Sequence, residues 1–169
     1  KALSYCFDYD TYIEEGQNGD GVRNTGVIIT NMLGYNPDQE MYMFDMDKCK
    51  EELELAWDGK VAENGFRVQG VTGTGYTMNM TALAILQANL RTIDPKYQIE
   101  IVTLPWPSYL AAFRAGLLPI AVSGWQEDYH DPHNWVQPFL FSAGAYGRVI
   151  NMPPEIAAKY DELILQAAN

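Results

Sequence analysis

Basic residues are scarce in this chain. Its 169 residues carry 11 Lys and Arg against 22 Asp and Glu, a net charge of −11. Phosphate binding needs a basic patch, so nucleic acid is a poor partner. An anionic membrane surface is disfavoured on the same ground. The deficit is uneven: residues 1–63 hold fourteen Asp/Glu against five Lys/Arg, and residues 64–169 hold eight against six. A solubilising acidic face is the plain reading of that skew. Long apolar runs are missing too. The longest, Tyr109 to Trp125, is broken by Arg114, Gly116 and Pro119, short of the ~20 residues that cross a bilayer. Lys1 leads straight into Ala2-Leu3-Ser4-Tyr5, with no apolar core or cleavage site of an export signal. Cysteine is limited to Cys6 and Cys49. Both stand among apolar neighbours in helix-like stretches, as buried thiols do, and two cysteines can also pair in an oxidising compartment.

What is present is ordinary for a folded protein: 47% hydrophobic and 20% charged residues. At this length one domain, 1–169, is the default, with a core that does not need disulfides. The pattern predicts a first helix over Ala2–Glu15, stopped by the Gly16–Gly21 stretch. An irregular segment follows over 17–43, a length typical of functional or partner-packed loops. A helix capped near Asp45 runs to about Trp57. The pattern then alternates: strand Phe66–Val71, helix Met78–Arg91, strand Gln98–Leu104, helix Ser108–Ala115 and strand Leu118–Val122. A terminal helix, Glu155 to Ala168, opens on Pro153-Pro154. Such spacing predicts an α/β layer with a mostly parallel sheet and right-handed crossovers.

Chemistry concentrates in Gly124-Trp125-Gln126-Glu127-Asp128-Tyr129-His130-Asp131-Pro132-His133-Asn134-Trp135, directly after the third strand. Ligands of open α/β sheets bind beyond the carboxyl ends of strands. Flat aromatic walls beside carboxylates suit a small cationic or amphipathic ligand. His130, Asp131, His133 and Glu127 together invite a metal-dependent enzyme as a rival, although Pro132 breaks their helical register. Glu127 and Asp128 are poor candidates for an acid/base pair, because adjacent side chains diverge and no nucleophile is near. Asp45, Asp131 and Asp161 read as caps and turn-formers.

The segment Gly124-Trp125-x-x-Asp128-Tyr129-x-Asp131-Pro132 resembles the Gly-Trp-x-x-Asp-x-x-(Asp/Glu)-Pro stretch of solute-binding protein family 5, the extracytoplasmic dipeptide-, oligopeptide- and nickel-binding components of ABC importers. Ala2-Leu3-Ser4-Tyr5-Cys6-Phe7-Asp8 is similar to a helix start of that family. Gly34-Tyr35-Asn36-Pro37 followed by Tyr42-x-Phe44-Asp45-x-x-Lys48-Cys49-Lys50-x-x-Leu53 resembles its Tyr-x-(Tyr/Phe)-Asp-x-x-Lys-Ala-Lys-x-Leu-Leu stretch. Leu86-Gln87-x-x-Leu90 and Trp106-x-x-Tyr109-Leu110 also fit, and Tyr160-Asp161-Glu162-Leu163-Ile164 resembles a segment just beyond the site. The matches keep the family's order along nearly the whole chain. Both cysteines stand where the family carries small residues, and Ile93-Asp94-Pro95-Lys96 replaces an Ile-Gly turn. No basic residue lies between Pro119 and Gly124, which leaves Arg114, Arg148 or another part of the protein to meet a ligand carboxylate.

The resemblance implies one lobe of a type II periplasmic-binding-protein-like fold, a mixed, mostly parallel sheet flanked by helices. It implies a partial second lobe of a larger two-lobe receptor, periplasmic or extracellular, with membrane anchoring of the full-length protein as an option. Its partners would be a small peptide or related solute and ABC permease subunits, with no cofactor and no catalysis. Asp128 would receive a peptide's α-ammonium group, Trp125 and Trp106 would form apolar walls, and Tyr129 would stand beside them. Nickel or an oligosaccharide is the alternative cargo, and a ligand-sensing domain of a regulator a further reading.

Overall fold

Three parallel strands organise one of two compact units in the computed structural model, which describes residues 1–167. The chain divides into two compact units. The first holds Lys1–Arg23, Tyr42–Phe113 and Leu117–Ser123; the second holds Asn24–Met41, Arg114–Gly116 and the chain from Gly124 onward.

In the first unit, β1 (Phe66–Gly73) lies between β2 (Tyr97–Leu104) and β3 (Ile120–Ala121), and all three run parallel. Helices α1 (Ala2–Cys6), α2 (Tyr9–Thr11), α3 (Met46–Leu55), α4 (Lys60–Asn64), α5 (Thr77–Ile93) and α6 (Trp106–Arg114) complete the element order up to β3. One face of α5 is buried at Leu83, Leu86 and Leu90, the last two in one cluster with Leu53, Tyr97 and Ile99. Gly70 is where β1 meets α5 most closely. A Cβ there would lie 2.6 Å from Leu83 Cδ2 and 2.9 Å from Ile99 Cγ2. Gly70→Ala is therefore expected to destabilise the fold by about 1–3 kcal/mol through overpacking, read from the denaturant midpoint.

The expected helix over Ala2–Glu15 is not continuous. Phe7 turns extended, and Asp8 restarts the chain by accepting from the Thr11 amide at 3.0 Å and hydroxyl at 2.8 Å. Aspartate gains more as a cap than inside a helix, which explains the break. The helical path then widens into one π-turn, Tyr12–Gly16. The segment after it has no helix or strand before α3, as the sequence predicts. Asp45 caps α3 by accepting from the Lys48 amide at 2.9 Å. That helix ends two residues before Trp57, because Trp57, Asp58 and Gly59 all take positive φ, and α4 follows.

The second unit contains two helices of more than one turn, α7 (His133–Leu140) and α8 (Pro154–Ala167), with a single 3-10 turn at Gly147–Val149 between them. Periodicity did not predict α7. Asp131 accepts from the His133 amide at 2.8 Å, and Pro132 takes the position just before the helix, a start signal in a segment otherwise read for its chemistry. Asp161, read as a turn-former, lies within α8 and holds the Ser142 amide and hydroxyl at 2.7 and 2.5 Å. Of the expected terminal helix, Ala168 lies outside the described residues.

Candidate functional site

The approach to the aromatic–acidic segment is fixed inside the first unit. The Val122 carbonyl accepts from the Tyr109 hydroxyl at 3.1 Å, the Asn79 amide at 3.1 Å and the Thr72 hydroxyl at 3.3 Å. Asn79 also donates to the Thr72 hydroxyl oxygen at 3.0 Å. Thr72 and Tyr109 are fully enclosed, so this polar knot is shielded from water and fixes where β3 ends. Trp106 belongs to the same unit. It stacks on Tyr109 with ring centroids 5.4 Å apart and leans on Tyr76 at 5.7 Å, yet remains 45% exposed. One face thus serves packing while the rest is open.

Trp125, Asp128 and Tyr129 belong to the second unit, and Asn134 organises the first two. Its side-chain oxygen accepts from the Trp125 indole N–H at 3.1 Å and from the Asp128 backbone N–H at 3.3 Å. Asn134 is only 6% exposed, at the start of α7. Trp125 meets Phe139 and Tyr146 edge-on, both at 6.1 Å, while Phe139 and Tyr146 stack on each other at 4.4 Å. The Tyr146 hydroxyl donates to the Gly124 carbonyl at 2.8 Å. Edge-to-face and offset ring pairs of this kind hold an aromatic wall in one orientation.

The two adjacent carboxylates differ completely. Glu127 accepts from the Trp135 indole at 2.8 Å with one oxygen and faces His130 Nδ1 at 2.9 Å with the other. These bonds hold its carboxyl below the usual range. Asp128 is exposed, and its carboxylate makes no hydrogen bond or ion pair among the described residues. It is the free acceptor of the segment. Tyr129 is exposed, with its hydroxyl 3.3 Å from His133 Nδ1.

The histidines are accounted for by local partners. His130 bonds to Glu127 and His133 faces Tyr129, and no group of three His, Cys, Asp or Glu among the described residues is placed to hold a metal ion. The hydrogen bond and charge of Glu127 raise the His130 pKa. Its charged bond with Glu127 is complete between the depressed pKa of Glu127 and the raised pKa of His130. It is lost as pH rises through the latter and as pH falls through the former. In a histidine NMR titration His130 is expected above the usual 6.5, and Glu127→Gln should return it towards that value.

Beside this segment an open cleft of about 800 Å³ is lined chiefly by Ile28, Leu33, Val136, Leu140 and Leu163, with Tyr129 and His133 at its edge. Trp125 and Asp128 do not line it. Sequence reasoning passed over Asn134, Phe139 and Tyr146. Asn134 stood inside the segment it singled out, but an asparagine has no spacing signature, and the two rings sat in a helix and turn that periodicity did not reveal.

The parallel α/β layer of the first unit thus runs in sequence directly into the aromatic–acidic segment. The chain belongs to the bacterial extracellular solute-binding proteins, family 5, whose middle-region model matches residues 1–147. It is 29% identical over 171 residues to the dipeptide-binding protein of Escherichia coli strain K12, covering 99% of this chain and 31% of that protein. It is 26% identical over 167 residues to heme-binding protein A of Haemophilus influenzae, covering 99% and 30%. Among solved structures, a periplasmic oligopeptide-binding protein of Borrelia burgdorferi superposes with a TM-score of 0.77 at 20% identity, covering 99% of this chain and 32% of that one. The chain spans about a third of the length of the curated relatives it matches, and the shared architecture is that of periplasmic binding proteins.

Proposed function

We propose that this chain forms part of the second lobe of an extracytoplasmic receptor that binds short peptides and delivers them to an ABC permease. The observation that supports the proposal is the exposed carboxylate of Asp128, unpartnered among the described residues, on a loop whose Asp128 backbone amide and Trp125 indole are both clamped on Asn134. A peptide's α-ammonium group is the complementary charge. Aromatic faces accept many side chains because they demand flatness rather than a particular shape. Trp106 and Tyr129, both exposed, are proposed as further ligand-facing surfaces of their own units. Membership of an extracellular family supports a periplasmic or extracellular location. The names of the E. coli and Borrelia relatives support the peptide cargo. The reading is one of binding and release, with Glu127 already occupied by Trp135 and His130. Hinge closure around the ligand completes its desolvation.

Native mass spectrometry on the full-length product of the reading frame tests this. A ladder of short-peptide masses bound one to one is the expected result. A single haem, sugar or metal mass would overturn the peptide reading and replace the cargo.

A further inference from the structure

Cys6 and Cys49 play no part in the site, yet their placement is specific. Cys6 ends α1 and Cys49 lies in the first turn of α3. Both are completely buried in one cluster with Leu53, Leu90 and Tyr97. The end of α1 is tied to the start of α3, since the Asp45 amide donates to the Tyr5 carbonyl at 2.9 Å. The Lys48 ammonium sits 5.6 Å over the Tyr5 ring. At that junction both side chains enter the same buried cluster, as thiols in this structure. The chain between them includes the long irregular stretch after Gly16, which has no ladder or helix of its own to hold it.

We propose that Cys6 and Cys49 are joined in the exported protein as a disulfide that staples α1 to α3. The proposal rests on the extracytoplasmic reading above. The oxidant is a disulfide, supplied by a thiol–disulfide oxidoreductase or a small-molecule disulfide. One cysteine thiolate attacks it and releases one thiol. The second cysteine thiolate then displaces the other, so one disulfide is reduced as one forms and the two cysteine protons leave with the released thiols. Since neither sulfur is exposed in the folded chain, the exchange takes place before α1 docks, and the closed bond is afterwards shielded from reductant.

The test is intact mass and peptide mapping of full-length exported protein, acid-quenched and alkylated in denaturant without reductant. The expected species takes up no label at either cysteine, is lighter by two hydrogens than the dithiol, and yields a peptide linking Cys6 to Cys49. Reduction should lower its Tm by roughly 2–6 °C, the range for a staple closing a loop of about forty residues in a protein about three times this length. The Cys6→Ala, Cys49→Ala double variant should not respond to reductant. Refolding in a glutathione redox buffer separates the pair from its location. Closure there, with free thiols in protein taken from cells, upholds the pair and overturns the extracytoplasmic reading. Two labelled cysteines under both conditions overturn the staple.

Discussion

Asp128→Asn in the whole receptor is expected to weaken peptide binding by more than tenfold, as titration calorimetry would read it. Asparagine keeps the size of the side chain and one carbonyl acceptor, so the variant removes charge and little else. The ammonium of a bound peptide is desolvated when the receptor closes, and truncating one partner of a desolvated pair costs about 2–5 kcal/mol. Each 1.4 kcal/mol is a factor of about ten, which places the loss between about thirtyfold and a few thousandfold. Stability should hardly move, within about 0.5 kcal/mol, because this carboxylate makes no bond among the described residues. The charge argument has its own control. An N-acetylated peptide should bind the native protein poorly and the Asp128→Asn protein no worse than the free peptide does, since the pair is already broken. Glu127→Gln should leave the dependence on the ammonium intact, because Glu127 is committed to Trp135 and His130. Unchanged affinity in the Asp128 variant would remove that residue from the site.

The distinction between Asp128 and Glu127 also marks how far the sequence could be read. Periodicity located the sheet and its main helix, because Leu83, Leu86 and Leu90 repeat at helical spacing and are buried, and the sequences of β1 and β2 alternate over Phe66–Gln69 and Gln98–Ile101. The caps at Asp45 and Asp131 were legible because a short acceptor before a helix has a positional signature. Three things were not. Asp8 sits in a stretch whose apolar stripe continues past it, and only the competing bond to Thr11 breaks that helix. In α7 the proline at 138 and the surrounding rings conceal the periodicity. The free carboxylate was singled out through its match to a family motif, whereas the reason Asp128 rather than Glu127 is free lies in the position of Trp135 and the turn of His130. Such long-range side-chain partners leave no pattern in a single sequence.

Asn134→Ala is the second large effect expected, and it acts on the site without touching the ligand's charge. One buried oxygen holds both the Trp125 indole and the Asp128 backbone amide. Alanine leaves two donors without their acceptor, each costing up to about 1–3 kcal/mol where water cannot reach it. The loop then loses the only side-chain bond that ties the Asp128 backbone to α7 among the described residues. Stability should fall by about 1–3 kcal/mol. Affinity should fall by about five- to a hundredfold, because the ligand must order Trp125 and Asp128 afresh, at roughly 0.5–1.5 kcal/mol per immobilised side chain. Trp125 emission should shift to the red as its ring loosens from Phe139 and Tyr146. Asn134→Asp separates the clamp from generic damage, since it keeps an oxygen acceptor in place. It is expected to hold the indole, restore the emission and retain ammonium-dependent binding, with the added negative charge favouring the same ligand group. An alanine variant with native emission and native affinity would reduce Asn134 to a packing residue, and Asp128 would then need another source of its orientation.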